Sequence, residues 1–504
     1  MKKIYLVLGI AASMMFSSCS DFLDREPSTE LPANSAIKST SDLQNAVNGI
    51  GYVLSGSLVD YDRMSYASEF TLFGDLRTND FMAPSSQGQT DEIRQYAYSP
   101  NGTYPDAGYQ IFYKALSNVN SALEAVPNVE GKQATIDNLK GQLIAWRGLL
   151  HFDLARMFCY IPTTVDNPSN SLGLVLADKT FPQDYKGVRT DLKTTYDYII
   201  QQFTDALPLL SKTSDVGYFN YYAALALRAR AYLYAGEYTK ALADAKEVID
   251  HAGEAGYELY TRSNYVSAWA SAGTTESLFE MKLSSEYNAQ RYGPGYYTDA
   301  TGYPECAFNT NGYLYKYLSS HPKDVRSGLI KDQTDADEYE AAAGYYPAKY
   351  PGQNANIYVN NPKIIRLSEV YLIAAEAQWH IDNPGSYTLT ATSAAAAEYI
   401  NAIQKNRIEG YEDVTSVTLQ DILHQYEIEL FCENQITYAY WRNHQSVTSG
   451  DEEEIKYNDY RTILPIPQAE RDYNKELQQN PEYAPCWYTR DKHSQRHCQS
   501  GRKY

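Results

Sequence analysis

Apolar residues recur at intervals of three and four along most of the chain, a spacing typical of amphipathic α-helices. One such stripe predicts a single long helix: Leu143, Trp146, Leu150, Leu154, Met157 and Ile161. The same spacing predicts helices over 394–407 and 419–433. Around Leu367 and Tyr371 nearly every face is apolar, which indicates a buried helix. We therefore expect an all-α-dominated fold with little β-structure.

Two segments fit helix pairs of the tetratricopeptide type. In 225–253, Gly236 breaks the helical pattern between two apolar stripes, and small residues recur where the two helices would cross. A second pair is predicted over 364–407, with an enlarged loop at 382–392 between its helices. These pairs would form the scaffold of the protein.

Two loop-rich stretches, 73–106 and 256–353, separate the helical blocks. Tyrosine is concentrated in the second, because 15 of the 48 tyrosines of the chain lie within 257–350. Loops carry binding residues more often than scaffold helices do, and tyrosine combines an apolar face with a polar tip. The pattern favours a binding surface. The alternative is packing of each tyrosine within its own loop, or a β-hairpin with alternating tyrosines.

The N-terminus is typical of a lipoprotein signal peptide. Lys2 and Lys3 precede an apolar stretch at 4–16 that is too short to span a bilayer. Small residues follow and lead into Cys19, the predicted lipidation site; an ordinary signal peptide cleaved elsewhere is the alternative. No other stretch approaches 18 consecutive apolar residues, so the lipid would be the membrane anchor. The polar residues 19–40 are predicted to form a tether.

The cysteines do not form a disulfide framework. Six are present, and lipidation of Cys19 would leave an odd number. Cys159 and Cys432 lie in apolar helical patterns and are predicted to be buried thiols. Cys486 and Cys498 could pair in an oxidising compartment.

Charge and motifs exclude several classes of function. Because the formal net charge is −19, phosphate neutralisation is unfavourable and nucleic-acid binding is not expected. No G-x-x-x-x-G-K-[ST], G-x-S-x-G or H-E-x-x-H motif occurs. Acidic pairs at 60/62 and 335/337 can hold a hard cation, but such pairs arise by chance in a chain with 62 acidic residues. The Cys/His group at 486–498 matches no standard zinc pattern, so neither a metal nor a cofactor is predicted. A glycoside hydrolase needs only two carboxylates, and sequence spacing leaves that class open.

An ordered set of motifs resembles the SusD/RagB family of outer-membrane nutrient-binding lipoproteins. Tyr113 and Asn120 fit the Y-x₆-N helix of that family. The other similar segments are CSDFLDREP at 19–27, GQLIAWRGLLHFDLAR at 141–156, the helix at 223–236, RLSEVYLIAAEA at 366–377, YINAI at 399–403 and Asn480-Pro481. The resemblance extends over roughly residues 19–483.

The resemblance implies a SusD-like fold, with four tetratricopeptide-like helix pairs as scaffold and long loops that carry the ligand site. It implies a lipid-anchored protein on the surface of the outer membrane. As a family member, the chain would act as a lid on a SusC-like, TonB-dependent barrel transporter. It would capture an oligosaccharide, or a peptide as some members do, without performing any chemistry.

The chain departs from the family pattern in two places. The family often has an E-R-x-x-E-L…E-G-x-R stretch, where residues 425–434 here read QYEIELFCEN, so the departure predicts a loss of local ion pairs. Residues 484–504 form an additional basic tail. The predicted division of the chain is 1–18 signal peptide, 19–40 tether, 41–255 N-terminal helical region, 256–353 tyrosine-rich loops, 354–483 C-terminal helical region and 484–504 tail.

The ligand site of the family is built from loops that correspond here to 75–109 and 287–317. Within these loops we choose side chains by chemistry: aromatic rings for the C–H faces of sugars and polar groups for hydroxyls. The predicted ligand-binding residues are Asp75, Arg77, Asp80, Asn101, Tyr104, Tyr109, Tyr292, Tyr296, Tyr297 and Tyr313. No catalytic residue is predicted. The alternatives are a peptide- or glycopeptide-binding member of the family, a tetratricopeptide adaptor without a small ligand, and a glycoside hydrolase.

Overall fold

The computed structural model of the protein describes residues 36–56, 63–336 and 342–484. The fold is 49% helical and 8% strand, which confirms the expected all-α-dominated class. The helices of these residues are α1 Thr40–Leu54, α2 Asp91–Arg94, α3 Thr103–Ala125, α4 Gln133–Phe158, α5 Leu192–Ala206, α6 Tyr221–Tyr234, α7 Tyr238–His251, α8 Pro294–Tyr297, α9 Tyr313–Ser320, α10 Leu367–Asp382, α11 Ala397–Arg407, α12 Leu419–Leu430, α13 Ile436–Arg442 and α14 Gln468–Tyr473.

Short antiparallel strand pairs tie the loops to this helical scaffold. The pairs are β1 Phe81–Met82 with β3 Ala307–Phe308, β2 Ser277–Glu280 with β6 Lys363–Arg366, β4 Ile330–Gln333 with β5 Gly344–Pro347, β7 Thr392–Ser393 with β8 Val417–Thr418, and β9 Val447–Thr448 with β10 Glu454–Ile455. The pairing of β1 with β3, in the register Phe81 to Phe308, joins the two loop-rich stretches to each other.

The predicted helix pair at 225–253 is confirmed as α6 and α7. Gly236 lies between the two helices with a φ of 74°, a left-handed conformation that glycine adopts without steric strain. Asn220 caps α6 by accepting a hydrogen bond from the backbone N–H of Ala223 at 3.0 Å. Arg228 of α6 pairs with Asp244 of α7 at 2.7 Å. The turn and the ion pair together hold the two helices against each other.

The second predicted pair is confirmed as α10 and α11, with an irregular loop between them. The indole N–H of Trp379 donates to the carbonyl oxygen of Ala391 at 2.8 Å and holds this loop against α10. The helices pack on their neighbours in a continuous series: α1 on α3, α3 on α4, α4 on α5, α5 on α6, α6 on α7, and α7 on α10. Helix α10 also packs on α11 and α12, so it joins the C-terminal region to the series.

Three predicted helix boundaries are wrong by a few residues. Helix α11 begins at Ala397, three residues after the predicted start. Helix α4 ends at Phe158, so Ile161 belongs to the segment after the predicted stripe. Helix α12 ends at Leu430 instead of continuing to Glu433. The backbone of Cys432 and of Asn434 takes positive φ values of 58° and 59°, which are incompatible with a right-handed helix.

A buried group of four cations and four anions, here called the charge network, links the loops to α11 and α12. Its members are Glu276, Asp324, Arg326, Lys349, Arg366, Arg407, Glu429 and Glu433. Arg366 pairs with Glu276, with Glu429 at 3.2 Å and with Glu433 at 2.8 Å. Glu429 and Glu433 thus form ion pairs with cations of distant segments, in place of the local pairs that the sequence predicted to be lost.

The cysteines of the described residues are buried thiols, as predicted for Cys159 and Cys432; Cys306 is the third. Several other predictions lie outside the described residues: the signal peptide, Cys19, most of the tether, and the pair Cys486 and Cys498. The tail is described only at Ala484. Helix α1 starts at Thr40, where Ser39 and Asp42 form a capping box.

Candidate functional site

Half-exposed tyrosines from two loops meet on one part of the surface. We call this set the tyrosine surface: Arg291, Tyr292, Tyr296, Tyr303 and Tyr358. The ring centroid of Tyr296 lies 5.1 Å from that of Tyr303 and 5.6 Å from that of Tyr358, whose side chain is 36% exposed. The guanidinium of Arg291 donates a hydrogen bond to the hydroxyl oxygen of Tyr303 at 3.2 Å. Partly exposed tyrosines and a cation are thus brought together at the surface.

Close backbone contacts fix the loops that carry these rings. The N–H of Tyr303 donates to the carbonyl oxygen of Tyr296 at 3.0 Å, and a Cβ at Gly302 would lie only 2.1 Å from that oxygen. A Cβ at Gly295 would lie 2.5 Å from the carbonyl oxygen of Ile357, in the loop that carries Tyr358. Glycine is required at both positions because any side chain would push the tyrosine-bearing turns apart.

A buried polar group supports the tyrosine surface from below. The Nε of Arg63 donates to the carboxylate of Glu69 at 2.9 Å, and Tyr297 donates to the same carboxylate through its hydroxyl. The guanidinium of Arg63 lies 5.5 Å from the ring centroid of Tyr292 and donates to the hydroxyl oxygen of Tyr104 at 3.1 Å. Burial raises the pKa of Glu69 to about 7, and the charge of Arg63 opposes this shift.

The predicted site residues fall into separate parts of the molecule. Tyr292 and Tyr296 belong to the tyrosine surface. Tyr104 and Tyr297 lie beneath it, almost fully buried, with their hydroxyls engaged by the protein. Asn101 is exposed in the turn before α3. Of this group, the two half-exposed rings are the ones placed to meet a ligand.

Asp75 and Arg77 are enclosed in the core, so we no longer include them in the candidate site. The carboxylate of Asp75 accepts hydrogen bonds from the backbone N–H groups of Cys432 at 2.9 Å and Asn434 at 2.8 Å. Burial raises the pKa of Asp75 to about 8, against the lowering effect of these N–H donors. The guanidinium of Arg77 lies 3.8 Å from the ring centroid of Phe73. Asp75 thus holds the segment after α12, whereas Arg77 packs among aromatic rings of the core.

The other predicted residues are distributed over two further places. Asp80 accepts a hydrogen bond from the backbone N–H of Leu314 at 3.0 Å and so caps α9. Tyr313, 36% exposed, stacks on His424 with ring centroids 4.1 Å apart. Tyr109 packs on Tyr113 with ring centroids 4.5 Å apart and borders a different cavity. The structure therefore does not bring the ten predicted residues together.

A separate cavity has a volume of about 390 Å³ and is here called the Tyr287 cavity. Tyr287, one of its lining residues, lies four residues before Arg291 in the sequence. The cavity wall includes Tyr52 and Tyr287, each 47% exposed and in edge-to-face contact with centroids 5.1 Å apart. The ammonium of Lys282 lies 4.6 Å from the ring centroid of Tyr218, which also lines the cavity. The volume is within the range of small-molecule sites, and aromatic walls with few polar groups are typical of them.

Sequence reasoning missed several of these residues as individual candidates. Arg291, Tyr303 and Tyr287 lie in the predicted ligand-binding loop 287–317. Gly302, next to Tyr303, could have marked that tyrosine as a candidate, as glycines did for Tyr292 and Tyr296. Tyr52 and Tyr358 belong to other segments, and no residue next to them in the sequence indicates that they lie near these loops. Within the described residues, no group of three or more His, Cys, Asp or Glu side chains is placed to hold a metal ion.

Comparison with known proteins identifies the family. A sequence model described as starch-binding and associating with the outer membrane matches residues 21–233, and the SusD family model matches residues 263–483. Together the two matches cover most of the chain, which belongs to the SusD family of carbohydrate-binding proteins.

Relatives extend this result over the full length of the fold. The SusD-like protein P2 of Formosa agariphila is 26% identical, over 96% of this chain and 100% of the relative. A SusD superfamily protein of Bacteroides vulgatus is 28% identical, with a TM-score of 0.79 over 89% of this chain and 100% of that one. A laminarin-binding SusD-like protein, 20% identical, shares the fold with a TM-score of 0.68 over 88% of this chain and 100% of its own.

Membership of the family defines the general type of activity. SusD-like proteins bind sugars and are not catalytic, they are lipoproteins associated with the outer membrane, and they work with SusC-type transporters. In the part of this chain that the structure describes, none of the helices combines the length and the apolar character needed to cross a membrane.

Proposed function

We propose that this protein captures a glycan at the cell surface and passes it to a SusC-like, TonB-dependent barrel transporter in the outer membrane. The observation that carries the proposal is the tyrosine surface, where rings from two loops are held half-exposed by close backbone contacts. The C–H faces of sugar rings stack on aromatic rings, and sugar hydroxyls need polar groups at fixed positions.

The polar groups at the tyrosine surface suit a neutral glycan. The guanidinium of Arg291 can donate to sugar hydroxyls, and the hydroxyls of Tyr296, Tyr303 and Tyr358 can donate to them and accept from them. The Tyr287 cavity, of about 390 Å³ and partly aromatic, is a second place where a sugar unit could be held. Because loops held in place lose little entropy on binding, such a surface binds more tightly than a mobile one.

A binding screen tests the ligand class. The purified protein would be titrated against soluble starch, laminarin, their hexasaccharides and a panel of short peptides. We expect binding to at least one glycan, and weaker binding after Tyr303→Ala. Tyr460→Ala is the matched control, since Tyr460 is 38% exposed and lies outside the tyrosine surface. Binding confined to peptides would favour the peptide-binding alternative, and release of free sugar would favour the hydrolase.

Membrane attachment is tested separately at Cys19. We propose that this cysteine is lipidated and that the acyl chains hold the protein at the outer membrane. Cys19→Ala should shift the protein out of the membrane fraction, while a variant retained there would contradict lipid anchoring.

Gentle solubilisation of membranes should co-purify the wild-type protein with a barrel transporter, and its release as a free monomer would argue against the proposed partner.

A further inference from the structure

A second cavity, of about 410 Å³, lies on another part of the molecule, between α3, the 175–187 segment and α14. We call it the flank cavity, and the lining residues used below are Tyr109, Tyr113, Phe181, Tyr185, Glu470 and Tyr473. It shares no lining residue with the Tyr287 cavity or the tyrosine surface. A ligand held there would therefore leave the candidate site free.

The aromatic walls of the flank cavity are fixed in position. Phe181 and Tyr185 stack with centroids 3.8 Å apart and planes inclined by 2°. The hydroxyl of Tyr473 donates to the carbonyl oxygen of Gln183, and the ammonium of Lys186 lies 3.0 Å from the ring centroid of Tyr473. Tyr185 is 41% exposed and Tyr473 is 52% exposed, so both residues reach solvent, and Lys186 covers one face of Tyr473.

The polar lining indicates the chemistry of a ligand. The half-buried carboxylate of Glu470 is the acidic group of the lining, and Lys114 is its basic group. Gln110 completes the polar side, with its amide donating to Asp106 at 2.9 Å. One acidic and one basic side chain leave the lining without net charge, which favours a neutral ligand over an ion.

Aromatic faces combined with a carboxylate and an amide suit a polyhydroxylated ring. The faces would pack against sugar C–H groups, and the carboxylate would accept hydrogen bonds from hydroxyls. An ammonium ligand fits less well, since Lys186 already occupies a position over the ring of Tyr473. The volume lies in the range of small-ligand cavities and suits a short stretch of glycan.

We propose that the flank cavity is a second glycan-binding site, which holds one or two neutral sugar units of the polysaccharide that the tyrosine surface captures. This inference rests on the proposed function. Two sites on one protein would engage a long polysaccharide together, so the second contact becomes intramolecular and total affinity exceeds that of either site. Short oligosaccharides would bind the two sites independently.

The test uses purified full-length protein with hexasaccharides of starch and laminarin and with the two intact polysaccharides. Calorimetry should give two hexasaccharide sites in the wild type and one in Tyr473→Ala or in the isosteric Glu470→Gln. Binding to the intact polysaccharide, followed by retardation in a polysaccharide-containing gel, should weaken about tenfold in these variants. Circular dichroism would verify that both variants remain folded, and Tyr460→Ala serves as control.

The outcomes separate the two proposals. One hexasaccharide site in the wild type, lost in Tyr303→Ala and unchanged in Tyr473→Ala and Glu470→Gln, would overturn the flank site and leave the proposed function standing. A site that survives Tyr303→Ala and disappears in Tyr473→Ala would support the flank site and argue against binding at the tyrosine surface. A wild type that binds none of the four probes would overturn both.

Discussion

The charge network and the tyrosine surface both include residues of the loop-rich stretches, yet they differ in how far their side chains are exposed to solvent. In the charge network, the side chains are at most 5% exposed, and each charge is opposed by at least one partner. At the tyrosine surface, rings from the same stretches remain half-exposed. The comparison indicates that buried charge holds these loops in place and leaves the aromatic surface exposed for the proposed ligand.

The two regions also differ in their response to pH. Burial alone would raise the pKa of Glu429 and Glu433, but neighbouring arginines hold both values below the ordinary one. Beneath the tyrosine surface, burial outweighs Arg63 and raises the pKa of Glu69 to about 7. Opposed pKa shifts allow the two regions to be distinguished by experiment.

The largest expected effect is at Arg366. Arg366→Ala would remove the cation that pairs with Glu276, Glu429 and Glu433 together, and removing one partner of a buried ionic group is strongly destabilising. We expect the free energy of unfolding to fall by about 3–5 kcal/mol in denaturant titrations. The matched control is Lys193→Ala, which breaks an exposed pair with Asp197. A loss at Arg366 no greater than in the control would contradict a stabilising role of the charge network.

The second expected effect is a pH dependence of stability. The pKa of Glu69 in the folded protein is about 7, above its ordinary value of 4.5. The protonated side chain therefore contributes fully to the free energy of unfolding below pH 4.5, and this contribution is lost as the pH rises through 7. Asp75, with a pKa raised to about 8, acts in the same direction. The unfolding free energy should therefore decrease from pH 5 to pH 8, and Glu69→Gln should reduce this decrease by about 2 kcal/mol.

Lowering the pH destabilises the charge network, whereas raising the pH removes the stabilising contribution of Glu69. The lowered pKa values of Glu429 and Glu433 mean that their contribution is complete above the ordinary carboxylate pKa and is lost at lower pH. Denaturant titrations at pH 3, 5.5 and 8 should therefore show highest stability at the intermediate value. A profile that is identical in wild type and Glu69→Gln would show that this carboxyl does not titrate as described.

The third expected effect concerns affinity instead of stability. Tyr296→Ala would remove the ring that contacts both Tyr303 and Tyr358, and the loss of a stacking tyrosine should weaken glycan binding by about 1–2 kcal/mol, roughly tenfold. Calorimetry would measure the affinity, and thermal unfolding should remain close to wild type. Unchanged affinity in a folded variant would place the ligand elsewhere.

The smallest expected effect is at Arg291. Arg291→Ala removes one exposed donor to Tyr303 and leaves the rings in place. We expect a weaker loss of affinity than in Tyr296→Ala, with no change in thermal unfolding. Calorimetry with the same glycan provides the measurement. An effect larger than that of the tyrosine variant would indicate that the ligand carries an anionic group recognised by the guanidinium.

Local signals account for the parts of the fold that the sequence predicted well. The pair α6 and α7 follows from apolar spacing and from one glycine, and all of the residues that define it lie close together in the chain. Asp75, by contrast, was predicted to face a ligand but is buried, and its hydrogen-bond partners Cys432 and Asn434 lie 357 and 359 residues away in the sequence. Burial created by such distant contacts leaves no trace in the local pattern.

The candidate site shows the same limit. Tyr292 and Tyr296 were predicted because they lie beside glycines in a tyrosine-rich loop, whereas Tyr358 contacts Tyr296 from a separate loop. Ring accessibility also depends on how neighbouring segments pack, and so adjacent residues Tyr296 and Tyr297 differ: one is half-exposed and the other is buried. Sequence could therefore indicate the loop but not which of its rings face solvent.

The charge network has a consequence for the order in which the chain folds. Glu429 and Glu433 follow their partners Arg326 and Arg366 by 103 and 67 residues, so the charge network stays incomplete until the last part of the chain is available. Contacts between distant segments form more slowly than those within a helical hairpin. A chain emerging N-terminus first would thus complete its early hairpins while the tyrosine loops are still unformed, and its capacity to hold a ligand would appear only once translocation is nearly finished.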